Sequence, residues 1–130
     1  MSRGSPPSPC PCGSARTLEQ CCKRWMPAGD APDAESLMRS RYTAYALRDE
    51  AYLLATWHPN TRPDALGLSE PSQPKWLGLK VLRHEPVDTD HARVEFVARY
   101  SVGGRAHRLH ETSRFERISG RWYYLDGQFA

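Results

Sequence analysis

From Ala34 to Leu47 the apolar positions Leu37, Met38, Tyr42, Tyr45 and Ala46 recur at steps of three and four, the spacing of one helical face. Arg39, Ser40 and Arg41 fall to its sides. Asp33 precedes the run as an N-cap, with Ser36 as a weaker alternative. Asp49 opens a second, shorter helix through Tyr52, Leu53, Leu54 and Thr56. It ends before His58-Pro59, because proline disfavours helical geometry in the residue preceding it. Residues 59–74 hold four prolines and read as a long loop with room for one helical turn. Beyond this loop the period changes to two. Trp76–Leu82 forms a first strand, and Ala92–Ser101 alternates Val94, Phe96, Ala98 and Tyr100 against Glu95, Val97 and Arg99. Gly103-Gly104 and Ser119-Gly120 are tight turns joining it to strands over Arg105–Ile118 and Arg121–Asp126. Helices followed by an antiparallel meander predict an α+β domain.

Upstream of Asp33 the chain has no hydrophobic period. Residues 1–9 are rich in proline, serine and glycine and are expected to be disordered. Pro27–Pro32 reads as a turn-rich linker. The division expected is a tail and metal element over 1–26, a linker over 27–33 and the α+β domain over 34–130. The metal element holds all four cysteines, Cys10, Cys12, Cys21 and Cys22. Four thiolates suit a structural zinc ion, which takes sulfur tetrahedrally in a site closed to water. A Gly13-Ser14 turn would aim backbone amides at the sulfurs, and Gln20–Trp25 forms a short helical turn carrying the second pair. Disulfides are the competing reading, but adjacent cysteines are hard to bridge without strain. No apolar signal segment opens the sequence, and a reducing compartment favours metal ligation. One structural Zn²⁺ per chain and a cytoplasmic location are therefore expected. Losing that metal is expected to loosen the first 26 residues and leave the sheet folded, free thiols being the remaining alternative.

A length of 130 residues suits one ordinary domain with a small appendage. No stretch approaches the ~20 apolar residues that span a bilayer, so no membrane partner is expected. The net charge of +3 arises from 18 basic and 15 acidic residues that are interspersed, which is weak support for nucleic-acid binding. The four tryptophans and six tyrosines are core fillers first.

The spacing Cys-x-Cys, eight residues, Cys-Cys resembles the SEC-C motif, the zinc-binding element at the C-terminus of the SecA translocation ATPase and in many small bacterial proteins. The strings Leu37–Tyr45 (LMRSRYTAY), Ala55–Pro59 (ATWHP), Leu109–Phe115 (LHETSRF) and Trp122–Gly127 (WYYLDG) resemble the YchJ family of bacterial proteins. That resemblance implies a nuclear-transport-factor-2-like fold, with helices packed on a curved antiparallel sheet that forms a cone. It implies zinc, and a binding surface for protein or nucleic acid, but no particular reaction. Many members carry a second cysteine motif at the C-terminus. Here no cysteine follows Cys22, so a role needing two zinc elements is not expected.

Within the last two strings, Leu109, Glu111, Ser113 and Phe115 share one strand face, and His110, Thr112, Arg114 and Glu116 share the other. The apolar members place Glu111 inside the cone. A buried carboxylate needs a partner, and Arg39, Arg41, Tyr42 and His58 are the candidates. One reading is a His58–Glu111 acid/base pair within an aromatic cup of Tyr42, Trp57, Trp76 and Tyr100; the other is an ion pair that orients helix on sheet. The cone is expected to be largely plugged by aromatic rings. His110 and Arg114 are further binding candidates. Arg24 and Trp25, directly after the cysteines, form either a recognition surface or the contact that docks the metal element. Three functions follow. The first is an adaptor binding a protein or ribonucleoprotein partner. The second is a small enzyme using the cone, and the third a weak nucleic-acid binder using Arg3, Arg16, Lys23 and Arg24 with Trp25.

Overall fold

In a computed structural model that describes residues 9–26, 28–68 and 73–129, Asp33 accepts a 2.7 Å hydrogen bond from the Ser36 amide and starts helix α1, Ala34–Leu47. The cap satisfies one of the amides that a helix start leaves unpaired. Arg48 closes the helix in the left-handed conformation at φ 59°. The Asp49 amide donates back to the Ala44 carbonyl (2.7 Å) and the Arg48 amide to that of Tyr45 (3.2 Å), a Schellman pattern. Asp49 then caps helix α2, Glu50–Ala55, through the Tyr52 amide (3.1 Å). One short joint thus ends the first helix and begins the second.

Four strands follow: β1 Lys75–Asp88, β2 His91–Val102, β3 Arg105–Ile118 and β4 Arg121–Phe129. They form one antiparallel sheet in the order β1-β2-β3-β4. β1 runs past the expected end at Leu82, through Pro86. Proline is tolerated because β1 lies at the sheet's edge, where a missing amide breaks no ladder. Register shifts interrupt β1 at three places and the β3–β4 pairing between Arg114 and Phe115. Such bulges bend and twist the strand that carries them. At the far edge, Thr56 to His58 pair with β4. The Tyr124 amide donates to the Thr56 carbonyl (2.9 Å) and the His58 amide to that of Tyr124 (2.7 Å).

Helix α1 lies on the inner face of the sheet. Leu37, Met38 and Tyr42 bury against Val94 and Phe96 of β2, Phe115 of β3 and Trp122 of β4. Burying one such side chain contributes about 1.5–3 kcal/mol. The same cluster contains all four cysteines, with Trp25, Leu79 and Val81 packed against it. Ser40 and Arg41, expected at the sides of α1, are buried instead. Ser40 meets Tyr52 (2.6 Å), so α1 is covered by α2 as well as by the sheet. The expected disorder over residues 1–9 lies, Pro9 apart, outside the described residues, as do Pro27, residues 69–72 of the proline-rich loop and Ala130.

Candidate functional site

The cysteine element is a tight loop. Pro9 bridges Thr17, the Cys10 amide donates to the Arg16 carbonyl (2.9 Å), and the Gly13 amide donates to that of Cys10 (3.1 Å). Gly13 turns at φ 78°, and an added Cβ would stand 3.2 Å from the Leu79 carbonyl oxygen, so the loop rests on β1. A 3₁₀ turn, Cys22–Arg24, presents the second pair. The four Sγ atoms lie within 4.8 Å of one another, and all four residues are buried. Cys12 and Cys21 Sγ are 3.6 Å apart, and Cys21 and Cys22 Sγ are 4.0 Å apart. A disulfide needs about 2.05 Å, and all four thiols are free. A tetrahedral shell with metal–sulfur bonds of about 2.3 Å has edges of about 3.8 Å. The observed spacing is compatible with a metal shell and not with disulfides.

Groups beyond the sulfurs complete this environment. The Ser14 hydroxyl donates to Cys21 Sγ (3.1 Å), and Thr43 Oγ1 of α1 lies 3.6 Å from Cys10 Sγ. Arg39 Nη1 donates to the Cys12 carbonyl (3.1 Å) and stands 4.0 Å from its sulfur, while Arg39 Nε holds Glu35 (3.1 Å). The turn after the first pair therefore contributes a hydroxyl where backbone amides were expected, and α1 supplies the rest. Hydrogen bonding from Cys22 holds the Cys12 thiol well below the ordinary thiol range. The same bond pushes Cys22 far up, and burial raises Cys21. Four thiolates this close repel one another, and a dication is the species that lets them ionise together.

The second feature is a cavity of about 270 Å³ between α1 and the inner face of the sheet. Its walls include Tyr42, Tyr45, Trp76, Phe96 and Tyr124, with Arg41, Glu111 and Ser113 as polar members. The expectation of a plugged cone is corrected here. Trp76 packs edge-on to Tyr42 (ring centroids 5.6 Å) and tilts against Tyr45 (5.9 Å), which gathers these rings on the wall and leaves the middle open.

Glu111 points inward, as the strand alternation predicts, but among the described residues none of the partners expected for it bonds it. Its Oε2 accepts from the Ser113 hydroxyl (2.6 Å). Arg39 goes to Cys12 and Glu35. Arg41 Nη1 donates to the Leu53 carbonyl (2.8 Å) and to Thr56 Oγ1 (2.7 Å). Its guanidinium stacks over the rings of Tyr124 (4.5 Å) and Trp57 (5.0 Å), and burial draws its pKa down to about 10. His58 is buried at the β4 edge, outside the cavity. Its Nδ1 accepts from the Asn60 amide (3.0 Å), so Nε2 donates to Glu116 (2.7 Å). The His58–Glu111 pair does not form, because pairing of residues 56–58 with β4 carries the imidazole toward the end of β3.

His110 and Arg114 lie on the outer face, bound to Glu95 (2.7 Å) and to Asp126 (two contacts of 2.6 Å). Trp57 packs on Tyr124 (5.0 Å, edge-on) and Tyr100 stacks on His107, so neither lines the cavity. Arg24 is exposed and lies over the Trp25 ring at 4.5 Å, while Trp25 itself is half-buried against the core. Sequence reasoning missed Tyr45 and Tyr124 as cavity walls. Both signals were present: Tyr45 follows Arg41 by one helical turn, and Tyr124 alternates with Trp122 along β4. No helix among the described residues is long and apolar enough to cross a membrane.

Comparisons with known proteins agree with this architecture. The family described as YchJ, middle NTF2-like domain, matches residues 33–127, and the SEC-C motif matches residues 7–24. A UPF0225 protein of Xanthomonas campestris pv. campestris (strain 8004) is 51% identical over 129 residues, spanning 98% of this chain and 100% of its own. The solution structure of a SEC-C motif containing protein from Rhodopseudomonas palustris superposes with a TM-score of 0.83 at 35% identity, covering 93% of this chain and 98% of that one. The crystal structure of a SEC-C motif containing protein from Psychrobacter arcticus gives a TM-score of 0.76 at 29% identity, covering 93% and 82%.

Proposed function

The chain belongs to the YchJ family, and from that premise we propose that it is a zinc-stapled interaction protein of the cytoplasm, not a zinc enzyme. One observation carries this reading: four buried thiols converge within 4.8 Å of one another, enough donors to fill a tetrahedral shell. A catalytic zinc keeps one position for water or substrate, and a set of four protein sulfurs leaves none. Cys10, Cys12, Cys21 and Cys22 would hold the ion. Its chemistry there is to bind four thiolates and neutralise much of their charge. Ser14, Thr43 and Arg39 would orient and partly neutralise them. The exposed side of the element offers Arg16, Lys23 and Arg24, the last stacked on Trp25. Arg and Trp are common anchors of protein interfaces, and this patch is the surface assigned to a protein or ribonucleoprotein partner.

The test is affinity capture from a bacterial lysate with wild type and Arg24→Ala, zinc content being measured in both. Capture of one defined partner by wild type, lost in a variant that keeps its zinc, supports the reading. Identical recovery by both proteins contradicts it. Binding of bare nucleic acid that falls steeply with salt, as counterion release requires, would replace the protein partner with a nucleic-acid one.

A further inference from the structure

Glu111 stands apart from the other buried charged side chains among the described residues. It is 8% exposed and lies on the inner face of β3. Its carboxylate covers Gly127 of β4, where an added Cβ would fall 2.6 Å from Glu111 Cδ; the glycine makes room for the acid. Ser113 bonds Oε2, and Oε1 takes no hydrogen bond among the described residues. Nor does any Lys, Arg or His nitrogen among them lie within ion-pair distance of it. A buried carboxylate without a cation is costly. Arg41 lines the same cavity but is engaged on α2, where Leu53 and Thr56 bind one nitrogen and two rings cover its face. Its charge serves the last turn of that helix, whose carbonyl end favours a cation. Glu111 is left facing an apolar space walled by Tyr42, Tyr45 and Trp76.

We propose that this cavity is a binding site for a small organic ammonium ion. The ammonium group would donate to the open oxygen of Glu111, and the apolar body would lie among the rings, whose faces attract cations. The volume of about 270 Å³ is below that of drug-sized ligand sites. The ligand is therefore compact, on the order of ten non-hydrogen atoms. An anion is disfavoured by Glu111, and Arg41 Nη1 is already held by the Leu53 carbonyl and Thr56. No cysteine lines this cavity, and its ligand does not involve the four thiols.

The experiment titrates the full-length chain with benzylammonium, benzyl alcohol and benzoate, three probes of one shape and different charge. The readout is the Trp76 indole resonance. Benzylammonium is expected to shift it with an affinity at least about tenfold better than the alcohol or the acid, the size of one charge-assisted hydrogen bond. Glu111→Gln is expected to remove that preference. If the variant does not fold, the wild-type series alone decides. Equal binding of the three probes, stronger binding of benzoate, or no response at Trp76 would each overturn the proposal.

Discussion

Gly127 is the residue on which the inner face of the cone turns. Its backbone is not in the left-handed region, so its requirement is space: the Glu111 carboxylate occupies the volume of the missing side chain. Gly127→Ala is expected to destabilise the fold by about 1–3 kcal/mol through overpacking. Urea denaturation of the single variants and of the Gly127→Ala, Glu111→Ala double variant checks the cause. The cost should shrink once the carboxylate is gone, and strict additivity would contradict the contact. On the outer face, Arg114 binds Asp126 through two contacts, with 57% and 45% of the two side chains exposed. Such a pair contributes less than about 1 kcal/mol. The Arg114 hydrogen bonds lower the Asp126 pKa below its ordinary value. A carboxylate lowered in the folded state stabilises above its unfolded pKa of about 3.9 and loses that contribution as pH falls through the lowered value. Arg114→Ala should therefore be slightly less stable than wild type at pH 7, with the gap closing in acid. A gap that persists below the folded pKa would contradict the pairing.

At the level of elements, the joint between α1 and α2 is a left-handed turn at Arg48 followed by the Asp49 cap. Arg48 adopts φ 59°, a conformation in which a Cβ is strained and glycine is not. Arg48→Gly is expected to raise stability by up to about 1 kcal/mol, read as a higher thermal midpoint, because relief of strain outweighs the added backbone entropy. A lower midpoint would show that the arginine side chain is needed there. The same joint shows what the sequence can and cannot carry. The limits of α1 and the caps at Asp33 and Asp49 were legible because capping is local chemistry within three residues. The inward face of Glu111 was legible from a period of two. The end of β1 was not, because whether Pro86 is tolerated depends on which strand forms the sheet's edge. The partner of His58 was not legible for a similar reason. It depends on how a loop pairs with β4, more than sixty positions away along the chain.

Across the whole molecule, the metal element and the cone share one core. The four cysteines bury in the cluster that contains Leu37, Val94, Phe115 and Trp122, and Thr43 and Arg39 of α1 reach the sulfur shell. The clustering of the four cysteines was legible in the sequence, because their spacing is specific, but the packing was not, because nothing in a run of cysteines states which helix will cover them. The consequence revises the expectation that metal loss unsettles only the first 26 residues. Metal affinity is folding free energy when the site forms only in the folded chain. Its loss should lower the stability of α1 and the sheet in a single transition, at a cost above about 4 kcal/mol. The most direct test of the account is the zinc content of fully reduced wild type beside Cys21→Ser, with thermal unfolding of the same samples. The account predicts one zinc per wild-type chain, none in the variant, and a single transition at a markedly lower temperature once zinc is gone. Reduced wild type without bound metal, or a variant that loses its zinc and unfolds like wild type, would contradict it.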